Sequence, residues 1–147
     1  MYEKLDVRKI RLTLELRQSG ISNSDVISAI EKIPREIFLP NAFRHQAYEN
    51  IALPIGEDQT ISQPYIVALM TQALELKKNY KVLELGTGTG YQSSILSLLT
   101  RRVYTIERIK SLLIRAEQNF KKLKISNIVT KYADGNLGWL EQVPFDR

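Results

Sequence analysis

Three carboxylates and one glycine run carry most of the chemistry that can be read in this chain. In "VLELGTGTGYQ" (residues 82–92) an apolar run ends in Glu84, followed by Gly86, Gly88 and Gly90. Alternating glycines tolerate positive φ and let a ligand reach the main chain without a Cβ in the way. A loop of this kind that opens a helix also presents free backbone N–H groups; a tight turn with no ligand is the alternative. The dinucleotide fingerprint G-x-G-x-x-G needs glycine at position 91, where Tyr91 stands. The Gly-Lys-Ser/Thr of a P-loop is absent as well. Glu84 would repel a phosphate and attract an ammonium group. Glu107 closes the next strand-like run, "RVYTIE", where a carboxylate can accept both hydroxyls of a ribose. Asp134-Gly135 closes a third, where aspartate can accept from an adenine amino group and glycine leaves room for the ring. Ammonium, ribose and adenine together describe S-adenosylmethionine, the expected cofactor.

A second polar cluster lies in "EDQTISQPYIVALM" (57–70). Ser62 precedes a helix start at Pro64, so its hydroxyl and the free amides of that start can form a small anion site. Helix capping by Ser62 or Gln63 is the structural alternative. His45, the single histidine, reads as a structural or surface residue. With no cysteine, thiolate chemistry and disulfides are excluded, and no metal site is expected.

The elements that must position these groups follow from periodicity. Residues 5–18 fit both an alternating strand and a helix with Val7, Ile10 and Leu14 on one face; helix is the expectation. Residues 22–33 form a helix capped by Ser22, with Val26, Ile27, Ile30 and Ile33 inward, stopped by Pro34. Residues 34–62 read as irregular, and so long a segment is usually functional. Pro64 starts a helix with an apolar stripe of Ile66, Leu69, Met70, Ala73 and Leu74. Then come a strand at 81–86, a helix over "YQSSILSLLT", a strand at 102–107, a basic helix to about Lys124 and a strand at 127–134. That β-α-β-α-β order is one half of a doubly wound α/β sheet, preceded by helices. One domain, 1–147, is expected, with a helical and substrate-loop region at 1–78 and the half-sheet at 79–147.

Composition agrees with a soluble globular protein: 44% hydrophobic and 25% charged residues. The net charge of +5 is scattered through "RKIR", "TRR" and "NFKKLK", which read as solvated faces, so neither nucleic acid nor membrane is expected as a partner. The amino terminus lacks the apolar core of a signal peptide, and the absence of cysteine fits a reducing cytoplasm.

"LPIGEDQTISQPYIVALMTQALEL", "KVLELGTGTGYQSSILS", "VYTIER", "DGNLGWLEQVPFD" and "VISAIEKIPREIFLP" resemble protein-L-isoaspartate O-methyltransferases over nearly the whole chain. The glycine motif is shared among AdoMet-dependent methyltransferases, whereas "QTISQP" is particular to this family. The resemblance implies the Rossmann-like methyltransferase fold and methyl transfer from AdoMet to the α-carboxyl of L-isoaspartyl residues in damaged proteins. It implies Ser62 as the active-site residue and Gln59, Thr60 and Ile61 as substrate-binding. It implies Glu84, Gly86, Thr87, Gly88, Gly90, Glu107, Arg108, Asp134 and Gly135 as cofactor-binding. The family continues past "VPFDR" into a fourth strand. The expectation is therefore a truncated sheet with one wall of its ligand crevice and an uncovered edge on the first strand that invites self-association, with retained methyl transfer and activity reduced or lost through truncation both left open. "GEDQ" departs from a family pattern with glycine before the glutamine, and Asp58 is expected to adopt the unusual turn conformation itself. A non-catalytic cofactor-binding remnant and a nucleic-acid methyltransferase are the alternative readings.

Overall fold

The computed structural model describes residues 6–147; residue 5, where the first helix is expected to begin, lies outside them. Helix α1 (Val7–Gln18) starts behind Asp6, whose carboxylate accepts from the Arg8 amide at 3.0 Å. Its buried residues are Leu12 and Leu16, while Val7 and Leu14 of the expected face are exposed. Helix α2 (Ser24–Lys32) buries Val26, Ile27, Ala29 and Ile30 and ends before Pro34 as expected. Its cap is Asn23, whose Oδ1 accepts from the amides of Asp25 and Val26 at 2.9 and 3.2 Å. Ser22 instead donates its amide to Gln72 Oε1 at 2.9 Å, which corrects the expected cap by one residue.

The segment expected to be irregular is more ordered than its sequence suggests. Two 3₁₀ turns, Arg35–Phe38 and Asn41–Gln46, lead into an antiparallel hairpin of β1 (Leu53–Gly56) and β2 (Gln59–Ile61). A three-residue strand with Gln59 and Thr60 exposed has no apolar alternation to betray it. The turn residues Glu57 and Asp58 have φ of 55° and 53°, the double positive φ of a type I′ turn. Asp58 thus adopts the left-handed conformation expected of it. Side chains in that region cost roughly 1–2 kcal/mol, against which glycine carries an entropic cost. Asp58→Gly should therefore raise stability by about 1 kcal/mol, read as a higher urea midpoint at unchanged m-value.

Helix α3 (Pro64–Ala73) has proline in its first turn and no side-chain cap from Gln63. The Tyr65 amide is taken from a distance by Asn50 Oδ1, at 2.9 Å. The buried residues are Pro64, Val67, Ala68 and Thr71, whereas Ile66, Leu69 and Met70 of the expected stripe are exposed. The small side chains are the ones that let α3 close against α1 and α2, so packing distance rather than hydrophobicity sets its inward face.

The sheet is parallel, in the order β3 (Lys81–Leu85), β4 (Arg102–Glu107), β5 (Ile128–Tyr132). Its register aligns Glu84 with Thr105 and Thr105 with Thr130. Helices α4 (Tyr91–Leu99) and α5 (Lys110–Lys122) supply Ser93 to Glu84 and Glu117 to Thr130, so both helices cover the face that these residues share. On the other face Tyr104 meets Trp139 and Phe145 edge-on, with centroids 5.3 and 5.6 Å apart. The final residues run along the outer edge of β3: Asp146 donates its amide to Lys81 O at 2.8 Å, and Leu83 donates to Arg147 O at 3.0 Å. The edge expected to be bare is therefore paired over Lys81–Leu83, and Leu85 beyond it is exposed. Among the described residues no helix is long and apolar enough to cross a membrane.

Candidate cofactor and acceptor site

A cavity of about 560 Å³ opens between the end of β2, α3, β3 and the glycine loop. Thr60, Ile61 and Ser62 line one side; Glu84, Gly86, Thr87 and Gly88 line another. Two motifs separated in sequence thus share one space.

Strand β3 delivers Glu84 to the mouth of the loop. One carboxylate oxygen, Oε1, accepts from Thr105 Oγ1 at 2.5 Å and from the Ser93 hydroxyl. The other, Oε2, is buried with no hydrogen-bond partner among the described residues. Burial, opposed by the two hydroxyl donors and assisted by repulsion from Glu107, pushes the Glu84 pKa up from 4.5 to about 7. A buried carboxylate oxygen without a donor fits a ligand that brings one, and an ammonium group also brings the charge.

The glycines divide their labour. Gly86 has φ 90° and open space where a Cβ would stand, so a ligand can approach its backbone. Gly90 has φ 95°, and a Cβ there would lie 2.5 Å from Phe120 Cε1. The packing of the α4 start on α5 thus uses the missing Cβ of Gly90. Glu107 is buried and clamps the loop: its Oε2 accepts from the Gly88 amide at 2.8 Å and its Oε1 from the Ile109 amide at 2.9 Å. Each oxygen retains a lone pair for a further donor. Gly90, Glu107, Arg108, Asp134 and Gly135 are not among the cavity-lining residues, and neither is Gln59. Arg108 is exposed beside Glu107. Asp134 is exposed and caps a short turn, accepting from the Asn136 amide at 3.0 Å. Gly135 lies against β3, where a Cβ would stand 3.2 Å from Leu85 Cδ2.

Ser62 is exposed on the link from β2 to α3. The expected anion site of helix amides is curtailed: Pro64 has no N–H, and the Tyr65 amide is engaged by Asn50. What holds Ser62 is Arg35, which sequence reading passed over. The guanidinium is fully buried and donates to the carbonyls of Ala47 (2.9 Å), Glu49 (3.3 Å), Ile51 (2.9 Å) and Ser62 (3.1 Å). It also lies 5.8 Å from the ring centroid of Tyr91, the first residue of α4. Burial lowers its pKa. Nothing in "IPREIF" distinguishes such an arginine from a surface one; Ser93 and Thr105 were equally silent as ordinary polar residues in a helix and a strand. His45 is exposed, outside the cavity, with its ring Nε2 3.0 Å from Gln46 Nε2.

Residues 7–147 match the family model of protein-L-isoaspartate(D-aspartate) O-methyltransferases. A protein-L-isoaspartate O-methyltransferase of Paramagnetospirillum magneticum is 55% identical over 145 residues, covering 99% of this chain and 68% of its own length. That of Rhodospirillum centenum is 55% identical over 140 residues, covering 95% and 63%. The chain thus spans about two thirds of the length of the curated relatives it matches. A solved protein-L-isoaspartate O-methyltransferase superposes with a TM-score of 0.82 at 30% identity, over 93% of this chain and 45% of that one. A putative one from Plasmodium falciparum, in complex with S-adenosyl-L-homocysteine, gives 0.71 at 23% identity over 86% and 62%, a likeness of fold alone.

Proposed function

The chain belongs to the protein-L-isoaspartate O-methyltransferase family, and we propose that it carries that family's chemistry, transfer of a methyl group from AdoMet to the α-carboxyl of an L-isoaspartyl residue. The observation that carries this reading is the single cavity joining Thr60, Ile61 and Ser62 to Glu84 and the glycine loop. AdoMet, when bound, supplies an electrophilic sulfonium methyl group. Glu84 would receive its ammonium and Gly86, Thr87 and Gly88 would line its path, while Glu107 and Asp134-Gly135, at the ends of the next two strands and outside that cavity, would hold the ribose and adenine. Gly90, at the start of α4, and the exposed Arg108, next to Glu107, would complete the cofactor-binding set that the resemblance implies.

The acceptor carboxylate is already ionised at neutral pH, so no strong base is needed. The chain's own contribution is to align that oxygen and replace its water with fixed donors. Ser62, steadied by Arg35, is the orienting donor; Gln59, Thr60 and Ile61 shape the acceptor side. Its partners are isoaspartyl-containing peptides and proteins in the cytoplasm, without nucleic acid or membrane. The exposed Leu85 end of β3 is the place for self-association.

The test is methyl transfer from labelled AdoMet to two peptides that differ only in an isoaspartyl or aspartyl linkage. Label on the isoaspartyl peptide alone supports the proposal, and Ser62→Ala should then lower turnover roughly ten-fold, one lost hydrogen bond, with S-adenosylhomocysteine affinity intact. Label on neither, with S-adenosylhomocysteine still raising the melting temperature, favours a cofactor-binding module without catalysis.

A further inference from the structure

Glu84 sits at the end of a directed chain of hydroxyls. Thr105 Oγ1 has one proton, and at 2.5 Å from Glu84 Oε1 it donates that proton to the carboxylate. The Thr87 hydroxyl, 2.7 Å from Thr105 Oγ1, must therefore be the donor in that pair. Ser93 donates to the same Oε1 from the first turn of α4. Thr87, Thr105 and Ser93 are all buried, so water does not compete for these bonds. The register that pairs Glu84 with Thr105 sets the geometry through the backbone of two adjacent strands rather than through flexible side chains.

We propose that Thr105 and Ser93 are positioning residues that make Glu84 selective for a primary ammonium group on the ligand, by saturating Oε1 and leaving Oε2 as the oxygen in need of a donor. This inference rests on the cofactor reading above and extends it to the second layer of residues. A hydroxyl donating to a carboxylate stabilises its charged form, so the two residues keep Glu84 able to meet a cation despite its burial and the repulsion of Glu107. Without Thr105 the carboxylate loses a donor and its fixed orientation together.

The experiment compares two ligands on the whole chain by calorimetry: S-adenosylhomocysteine, and its analogue with hydrogen in place of the α-amino group. Wild type should prefer the amino compound. Thr105→Val should weaken S-adenosylhomocysteine roughly ten-fold, the scale of one hydrogen bond to a charged group, and leave the analogue's affinity unchanged. Thr105→Ser, which restores the hydroxyl, should recover the preference. In parallel, carbon-detected titration of the Glu84 carboxyl should move to higher pH in Thr105→Val. Ser93→Ala removes the other donor from a different element and should act in the same direction if the valine variant does not fold. Equal loss for both ligands, or an unmoved Glu84 titration, overturns the proposal while leaving the cofactor reading in place. Failure of wild type to bind either ligand overturns the cofactor reading and the selectivity with it.

Discussion

Arg35→Met should destabilise the chain by about 4 kcal/mol, since four carbonyls lose their donor at roughly 1 kcal/mol each. Those carbonyls, on Ala47, Glu49, Ile51 and Ser62, lie in buried or partly buried surroundings where water replaces a lost donor poorly. One term opposes this. Among the described residues Arg35 has no carboxylate hydrogen-bond partner and its Nε is buried without any partner; burial lowers its pKa, so methionine relieves a desolvated charge. The carbonyl term wins because the guanidinium fork is what turns the 47–51 segment and Ser62 toward one point, and an aliphatic side chain cannot satisfy any of them. Arg35→Lys should recover part of the loss, as three donors on a compact head cannot span four acceptors. Urea unfolding of the three proteins measures the ranking. A methionine variant within about 1 kcal/mol of wild type would mean that the loop carbonyls find other partners, and that Ser62 is held by something else. With typical domain stabilities of roughly 5–15 kcal/mol, the expected loss would leave little margin.

The half-sheet was legible because short strand-like runs alternate with helical segments; β3, β4, β5, α4 and α5 stand close to where that alternation puts them. Glu84 and the glycine loop were legible for a related reason: their chemistry is local, a carboxylate two residues from a loop that needs positive φ. What stayed hidden depends on contacts far apart in sequence. The hairpin at 53–61 is fixed from α5, where Ser111 donates to Glu57 at 2.7 Å and Arg115 donates to the Ile55 carbonyl. The cap of α3 comes from Asn50, and the inward face of α3 is chosen by how closely α1 and α2 approach. The same applies to the β3 edge, which is closed over Lys81–Leu83 by Asp146 and Arg147. Local pattern gives elements; it does not say which of two faces is the crowded one, or which arginine has four carbonyls around it.

Glu84→Gln should make the empty chain more stable at pH 8 while removing its affinity for an ammonium ligand. The sign follows from the protons. The folded-state pKa of Glu84 is about 7 against 4.5 for an unperturbed carboxyl, so between those values the folded chain holds a proton that the unfolded chain has lost. Stability contributed by this group is therefore full below pH 4.5, falls as pH rises through 7, and is flat above, a total of about 3 kcal/mol at 1.36 kcal/mol per unit. Glutamine has no such titration, keeps an oxygen for Ser93 and Thr105, and should flatten that part of the pH–stability curve. Denaturant midpoints of wild type and variant from pH 4 to pH 8 measure the difference, which should open on the alkaline side. A ligand ammonium has the opposite preference: it requires the carboxylate, so S-adenosylhomocysteine affinity in wild type should rise with pH toward 7, with proton release visible as buffer-dependent binding heat. In the variant that release should vanish. Parallel pH–stability curves for the two proteins would place the Glu84 carboxyl in contact with water and remove the burial cost on which its proposed role as a cation receptor rests. If the proposed ammonium ligand is what offsets the cost of burying Glu84, glutamine should serve the fold better only in the absence of that ligand.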